Sequence, residues 1–207
     1  MTFRSPRDNV SALEYPTQEG EMKKALQFVC LWIATTSFSG LIPGHLLNKP
    51  GKMGGTAGAL VALVVQYFML NSSWTTMLWL VIASFAIGWI VVSTAERYLL
   101  ELYGPRRRHT GDIVLSDFNE TNIDEFHGQL LAGLPIWFFD MDVDKSAWWL
   151  LIISFVLFRF YDILKPYPID SVESMTEGTG FGVMIDDTLA GFMAAAVMFG
   201  LVAWIVF

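Results

Sequence analysis

Charge is scarce in this chain. Only 16% of its 207 residues are Asp, Glu, Lys or Arg, against about a quarter in an ordinary soluble domain. Basic residues are scarcer still, 13 against 20 acids, for a net charge of −7. That argues against nucleic acid as a partner, because a phosphate-backbone surface needs basic excess. It leaves open a phosphate ligand held through a divalent cation, since acids would then be the cation's ligands. Cysteine is reduced to Cys30, so an internal disulfide is impossible. With no nearby Arg loop or partner His, a cysteine phosphatase is disfavoured as well. Residues Met1 to Gly20 lack the apolar core of a signal peptide, so membrane insertion is expected to depend on later segments. No Gly-Lys-Ser or Gly-Lys-Thr is present, which removes the P-loop. His45, His109 and His127 lack metal-ligand spacing.

What the chain does have is apolar length. It is 54% hydrophobic, its mean hydropathy is +0.47, and apolar runs recur throughout. The pattern predicts an all-α fold, a polytopic membrane helical bundle with short or re-entrant helices. Residues 1–24 read as a flexible polar tail, and 25–207 as a single membrane-embedded domain. Segment 25–47 is apolar only at first and suits a re-entrant element. A glycine-rich loop, 45–58, precedes the short apolar run Ala59–Leu70. Thr75–Ala95 is the clearest spanning helix, with Trp74 and Trp79 as interface anchors. A polar stretch, 96–125, leads into Gln129–Phe139. An acidic turn at Asp140–Lys145, read as solvated, separates this run from Ala147–Leu164. A loop over 165–187 precedes a last helix, Thr188–Phe207.

The polar motifs fall in loops 45–58, 96–128 and 165–187. If each apolar segment after the first crosses, these loops share one face. They carry Lys49, Lys52, Arg97, Arg106, Arg107, Arg108 and Lys165, whereas the opposite loops carry only Lys145. The positive-inside rule makes the motif face cytoplasmic.

Three acidic clusters stand at that face: Asp124-Glu125, Asp162 and Asp186-Asp187. Carboxylates converging from separate segments would hold a hard divalent cation such as Mg²⁺. Each acid alone also has an ordinary structural reading. Asp187 suits a helix N-cap, Asp124 and Glu125 a solvated helix start, and Asp162 a partner for Arg159 or Lys165 at helical spacing. The coincidence of all three at one face favours the site. Arg159 and Lys165 are suited to phosphate contact, as a bidentate fork and a point charge respectively, although both could also snorkel at a membrane boundary. The backbone around Gly55, Thr56 and Gly58, opening an apolar segment, could add N–H donors to an anion. His127, beside Asp124-Glu125, suits a packing role.

At these residues the chain resembles the phosphatidylglycerophosphatase A family. Phe158-Arg159, Asp162 and Lys165-Pro166-Tyr167-Pro168-Ile169 are similar to its FRxxDxxKPxPI signature. Gly182 to Asp187 with Ala190-Gly191 is similar to its GxMxDDxxAG element. Asp124-Glu125 with Gly128 is similar to its DExxG element, and Gly55-Thr56-Ala57-Gly58 to its GTxG element. The family usually has Pro-Gly directly before the Thr and Ser after the last Gly. Here a loop separates Pro43-Gly44 from Gly55, and Ala59 replaces the Ser. The resemblance implies a Mg²⁺-dependent phosphatase of the bacterial inner membrane that converts phosphatidylglycerophosphate to phosphatidylglycerol and phosphate. Asp124, Glu125, Asp162, Asp186 and Asp187 would be its metal-binding and catalytic acids. Arg159, Lys165, Gly55, Thr56 and Gly58 would hold the substrate phosphate.

Two other classes compete. A CDP-alcohol phosphatidyltransferase would use metal on lipid headgroups, but its DGxxAR…GxxxD spacing is absent. A transporter could use the same acids for ions or protons, though here they stand at segment ends.

Overall fold

The computed structural model describes residues 18–46, 53–107, 113–114, 118, 120–139, 148–176 and 179–207. Helix α1 (Gln18–Ala34) begins earlier than the apolar run alone suggests, so 18–24 belong to a helix. It stops in a left-handed turn, with φ of 44°, 59° and 66° at Thr36, Ser37 and Phe38. Thr35 supports that turn: its Oγ1 donates to the Leu31 carbonyl at 2.7 Å and accepts from the Phe38 N–H at 3.1 Å. The short α2 (Leu41–Leu46) follows.

Helix α3 (Gly54–Phe68) absorbs the end of the expected glycine-rich loop, so Gly55, Thr56 and Gly58 lie in its first turns. Helix α4 (Trp74–Tyr103) is capped by Ser73, whose Oγ accepts from the Thr76 N–H at 3.2 Å. It continues beyond Ala95, where composition had placed its end. A two-residue antiparallel pairing, β1 (Arg106–Arg107) with β2 (Ile113–Val114), is the sole strand pairing among the described residues. Next come α5 (Ile123–Gly133), α6 (Pro135–Phe138) and α7 (Trp148–Leu164). The expected loop 165–187 instead contains α8 (Ile169–Thr176) and the start of α9 (Gly180–Val206). Thr179 caps α9, its Oγ1 accepting from the Gly182 N–H at 2.9 Å. Residues 1–17, positions 47–52 of the 45–54 insertion, Arg108, His109 and the acidic turn 140–145 lie outside the described residues.

Helices α4 and α9 are long and apolar enough to cross a membrane. Their outward faces carry exposed Trp79 and Ile90, and Phe192 and Trp204. A soluble monomer rarely leaves such surface to water. Helix α5 is different. Its eleven residues reach only about 16 Å, half a bilayer's hydrocarbon, so it is too short to span by itself. It is buried almost all round and packs against α3, α4, α7 and α9. The largest apolar cluster joins Leu130, Leu131, Ile136 and Trp137 to Met77, Val81, Leu150, Leu151 and Met198. A second joins Ala59, Ala132, Phe158, Ala190 and Ala194.

Two close approaches set the register. A Cβ on Gly191 would stand 2.6 Å from the Gly128 carbonyl oxygen, so α9 lies backbone to backbone on α5. Phe158 of α7 fills the space beside Gly128, where any side chain would overlap its ring. A polar clasp adds to this. Gln129 Nε2 donates to Gln66 Oε1 at 3.0 Å and Ser154 Oγ at 3.1 Å. Gln66 Nε2 in turn donates to the Leu130 carbonyl at 3.1 Å. In a dry interior such amides are stable only when paired.

Candidate active site

The acids lie one helical turn from those packing contacts. Asp124 precedes Gly128 by four residues, Asp187 precedes Gly191 by four, and Asp162 follows Phe158 by four. Residues four apart share a helix face. Fixing the glycines and the phenylalanine together therefore brings the three acids to one depth. Asp124, Glu125 and Asp187 each offer a carboxylate oxygen, all within 4.8 Å of one another. Asp162 stands near enough to Glu125 and Asp187 for their charges to repel.

This overturns two of the ordinary readings. Asp187 is not an N-cap: Thr179 caps α9, and Asp187 stands two turns inside it. Asp124 is not a solvated helix start, for it is 7% exposed. The third holds in part, since Asp162 pairs with Arg159 at 2.6 Å. Lys165 pairs elsewhere. It leaves α7 with φ of 42°, and its Nζ donates to Asp186 Oδ2 at 3.1 Å. Asp186 faces Lys165 while its neighbour Asp187 joins the trio.

Gly55 and Gly58 are wall residues. A side chain at 55 would overlap the Glu125 carboxylate, and one at 58 would overlap Asn122. The Ala57 N–H is already used by the Met53 carbonyl at 3.3 Å, which leaves the N–H groups of Gly54, Gly55 and Thr56 as the ones a helix start offers. Thr56 is half-buried. His127 is a packing residue: it is 2% exposed, its Nδ1 lies 2.9 Å from Ser84 Oγ, and its ring rests 5.4 Å from that of Phe85. Cys30 is buried and free. Sequence reasoning did not single out Asn122, a buried amide two residues before Asp124 whose side chain reaches α3.

The electrostatics favour a bound cation. Burial pushes the Glu125 carboxyl up to about 8, with Asp187 and Asp162 adding repulsion and Arg159 opposing it. Glu125 Oε2 is closed to solvent and has no hydrogen-bond partner among the described residues. Carboxylates in mutual contact need a shared proton or a cation between them. An all-carboxylate set of this spacing fits a hard divalent ion such as Mg²⁺.

A family model described as Phosphatidylglycerophosphatase A matches residues 32–202. Phosphatidylglycerophosphatase A of Haemophilus influenzae is 30% identical over 163 residues, 78% of this chain and 83% of that protein. The protein of the same name from Escherichia coli is 28% identical, over 76% of this chain and 82% of its own length. A putative phosphatidylinositol-3-phosphatase of Bacteroides thetaiotaomicron is 31% identical over 73% and 84% respectively. No solved structure matches.

Proposed function

The chain belongs to the phosphatidylglycerophosphatase A family, and on that premise we propose that this phosphatase hydrolyses the terminal phosphomonoester of phosphatidylglycerophosphate with Mg²⁺. The products are phosphatidylglycerol and inorganic phosphate. The observation that carries the reading is the convergence of acids from α5, α7 and α9 beside Arg159 and Lys165.

Asp124, Glu125 and Asp187 would hold the cation, with Asp162 beside them. The ion would supply charge neutralisation on the phosphate and a lowered pKa for a bound water. Arg159 and Lys165 would bind phosphate oxygens and offset charge as the P–O bond breaks, which is where phosphoryl transfer gains most. Both cations already face carboxylates, so each is held in place before substrate arrives. The first turn of α3 walls the site beside Glu125, and Thr56 in that turn would add a contact to the substrate phosphate. The apolar faces of α4 and α9 support a membrane protein, and the Lys and Arg bias of the motif loops supports the reading that it is a multi-pass protein of the bacterial inner membrane with its headgroup-level site on the cytoplasmic side.

The test is phosphate release from phosphatidylglycerophosphate by detergent-purified protein, with and without Mg²⁺. Phosphatidylinositol-3-phosphate serves as a second substrate, since one relative's name points to it. Preferential Mg²⁺-dependent release from phosphatidylglycerophosphate, with no second alcohol present, is the expected result. Preference for the inositol lipid would move the substrate assignment. No release from folded protein under any divalent ion would sink the reading and favour transport.

A further inference from the structure

Asn122 is fully buried and touches three segments. Its Nδ2 donates to the Gly54 carbonyl at 3.1 Å and to Ser39 Oγ at 3.0 Å. Its N–H donates to the Ala34 carbonyl at 2.9 Å. Its own carbonyl accepts from the Phe126 N–H at 3.1 Å and from Thr36 Oγ1 at 3.4 Å. A carbonyl can only accept, so the Gly54 contact fixes which end of the amide is nitrogen. Asn122 occupies the N-cap of α5, a position where asparagine commonly bonds its own helix. Here the side chain makes no such bond and reaches across to α3 instead.

What it holds matters. Gly54 is followed by Gly55, which lies against the Glu125 carboxylate, and Asn122 itself stands two residues before Asp124. We propose that Asn122 is a positioning residue for the cation-binding acids. By tethering the first residue of α3, it presses that turn onto Glu125 and sets where this carboxylate stands relative to Asp124 and Asp187. Glutamate has three rotatable bonds, and a wall on one side removes the rotamers that would swing it away. The inference rests on reading Asp124, Glu125 and Asp187 as cation ligands.

The test uses the full chain in detergent. Mn²⁺ binding is followed by electron paramagnetic resonance without lipid, and kcat and KM are measured with phosphatidylglycerophosphate. Asn122→Asp sets an acceptor against the Gly54 carbonyl, and Asn122→Ala removes the tether. Both are expected to weaken Mn²⁺ binding and lower kcat by roughly 10–100-fold, the usual cost of losing a group that orients a metal ligand, with KM little changed. Ser39→Ala breaks the other bond of the same amide and is expected to keep both values. If a variant does not fold, Asn122→Ser replaces it, keeping a donor but losing the reach to Gly54. A cycle gives a second measure: Gly55→Ala pushes on Glu125, and releasing the tether lets α3 withdraw. The double variant Asn122→Ala/Gly55→Ala should therefore be no worse than Gly55→Ala alone.

Wild-type Mn²⁺ affinity in both Asn122 variants overturns the proposal. So do additive losses in the cycle, or equal losses in Ser39→Ala and Asn122→Ala that track thermal stability. If the wild type binds Mn²⁺ but releases no phosphate, the substrate assignment fails and the Mn²⁺ data still judge Asn122. If it binds no Mn²⁺, the positioning role fails.

Discussion

Gly191 rests on Gly128. A Cβ at 191 would stand 2.6 Å from the Gly128 carbonyl oxygen and 3.2 Å from its Cα. The contact lies one turn from Asp187 on one helix and one turn from Asp124 on the other. Gly191→Ala should therefore separate the two acids without touching either. A displacement of about 1 Å at a reacting centre can cost on the order of 100-fold in rate. That fall in kcat is expected from protein that still purifies folded, as checked by near-ultraviolet circular dichroism. Unchanged kcat would show that the acids do not depend on this contact.

Asp162→Asn keeps the side chain's shape and removes the charge facing Arg159 at 2.6 Å. It also changes the neighbour of Asp187. Loss of turnover by at least roughly 100-fold is expected, the upper range for groups bound to or beside a metal ligand. Phosphate release at near wild-type rate would remove Asp162 from the site.

Lys165 is expected to act on substrate binding as well as rate. Lys165→Met removes a donor able to make a charge-assisted hydrogen bond of about 1.5–3 kcal/mol, or roughly 10–150-fold in kcat/KM. Asp186→Asn removes the charge that Lys165 meets at 3.1 Å and keeps Lys165 itself, so its effect should be smaller. If Asp186→Asn proves the more damaging, Asp186 binds the cation after all.

Without a divalent ion, stability should fall as pH rises. The Glu125 carboxyl is raised by burial to about 8. The unfolded chain then loses this proton near pH 4–5, while the folded chain keeps it until about pH 8. The stabilisation is fully present below the unfolded pKa and is lost between these limits, at up to about 1.4 kcal/mol per pH unit for one proton. Thermal unfolding in chelator from pH 5 to 9 should show a declining midpoint, and Mg²⁺ should flatten the decline. A midpoint rising across that range in chelator would contradict the burial argument.

Gln66 offers a contrast, since it supports the bundle away from the acids. Gln66→Ala leaves the Gln129 amide without its 3.0 Å partner in a dry interior. A loss of about 1–3 kcal/mol is expected, read as a lower unfolding midpoint, with kcat unchanged in the remaining folded protein. A kcat that falls with stability intact would connect this clasp to the site.

Much of the site was legible before folding was considered, because acids are conspicuous where charge is scarce. Asp124, Glu125, Asp162, Arg159, Lys165 and Asp187 are each drawn into one neighbourhood. Helix limits were less legible. Gly180 to Asp187 is glycine-rich and acidic, so hydropathy alone placed the last helix at Thr188. Thr179 capping and packing on α5 carry it back to Gly180. The same holds for Gly54 to Gly58, where glycine reads as loop until α5 is seen to need the space.

The sequence by itself determined the chemistry available: hard oxygen donors, two cations near them in sequence, and recurrent apolar runs. Only the tertiary structure decided which acid faces which partner. Asp186 turns to Lys165 and Asp187 to the trio, and Asn122 ties α3 to the start of α5. The physical reason is range. Composition and periodicity report on neighbours within about one turn of the chain. The meeting of Gly128 with Gly191, and of Gly55 with Glu125, depends instead on how closely backbones far apart in sequence can pack.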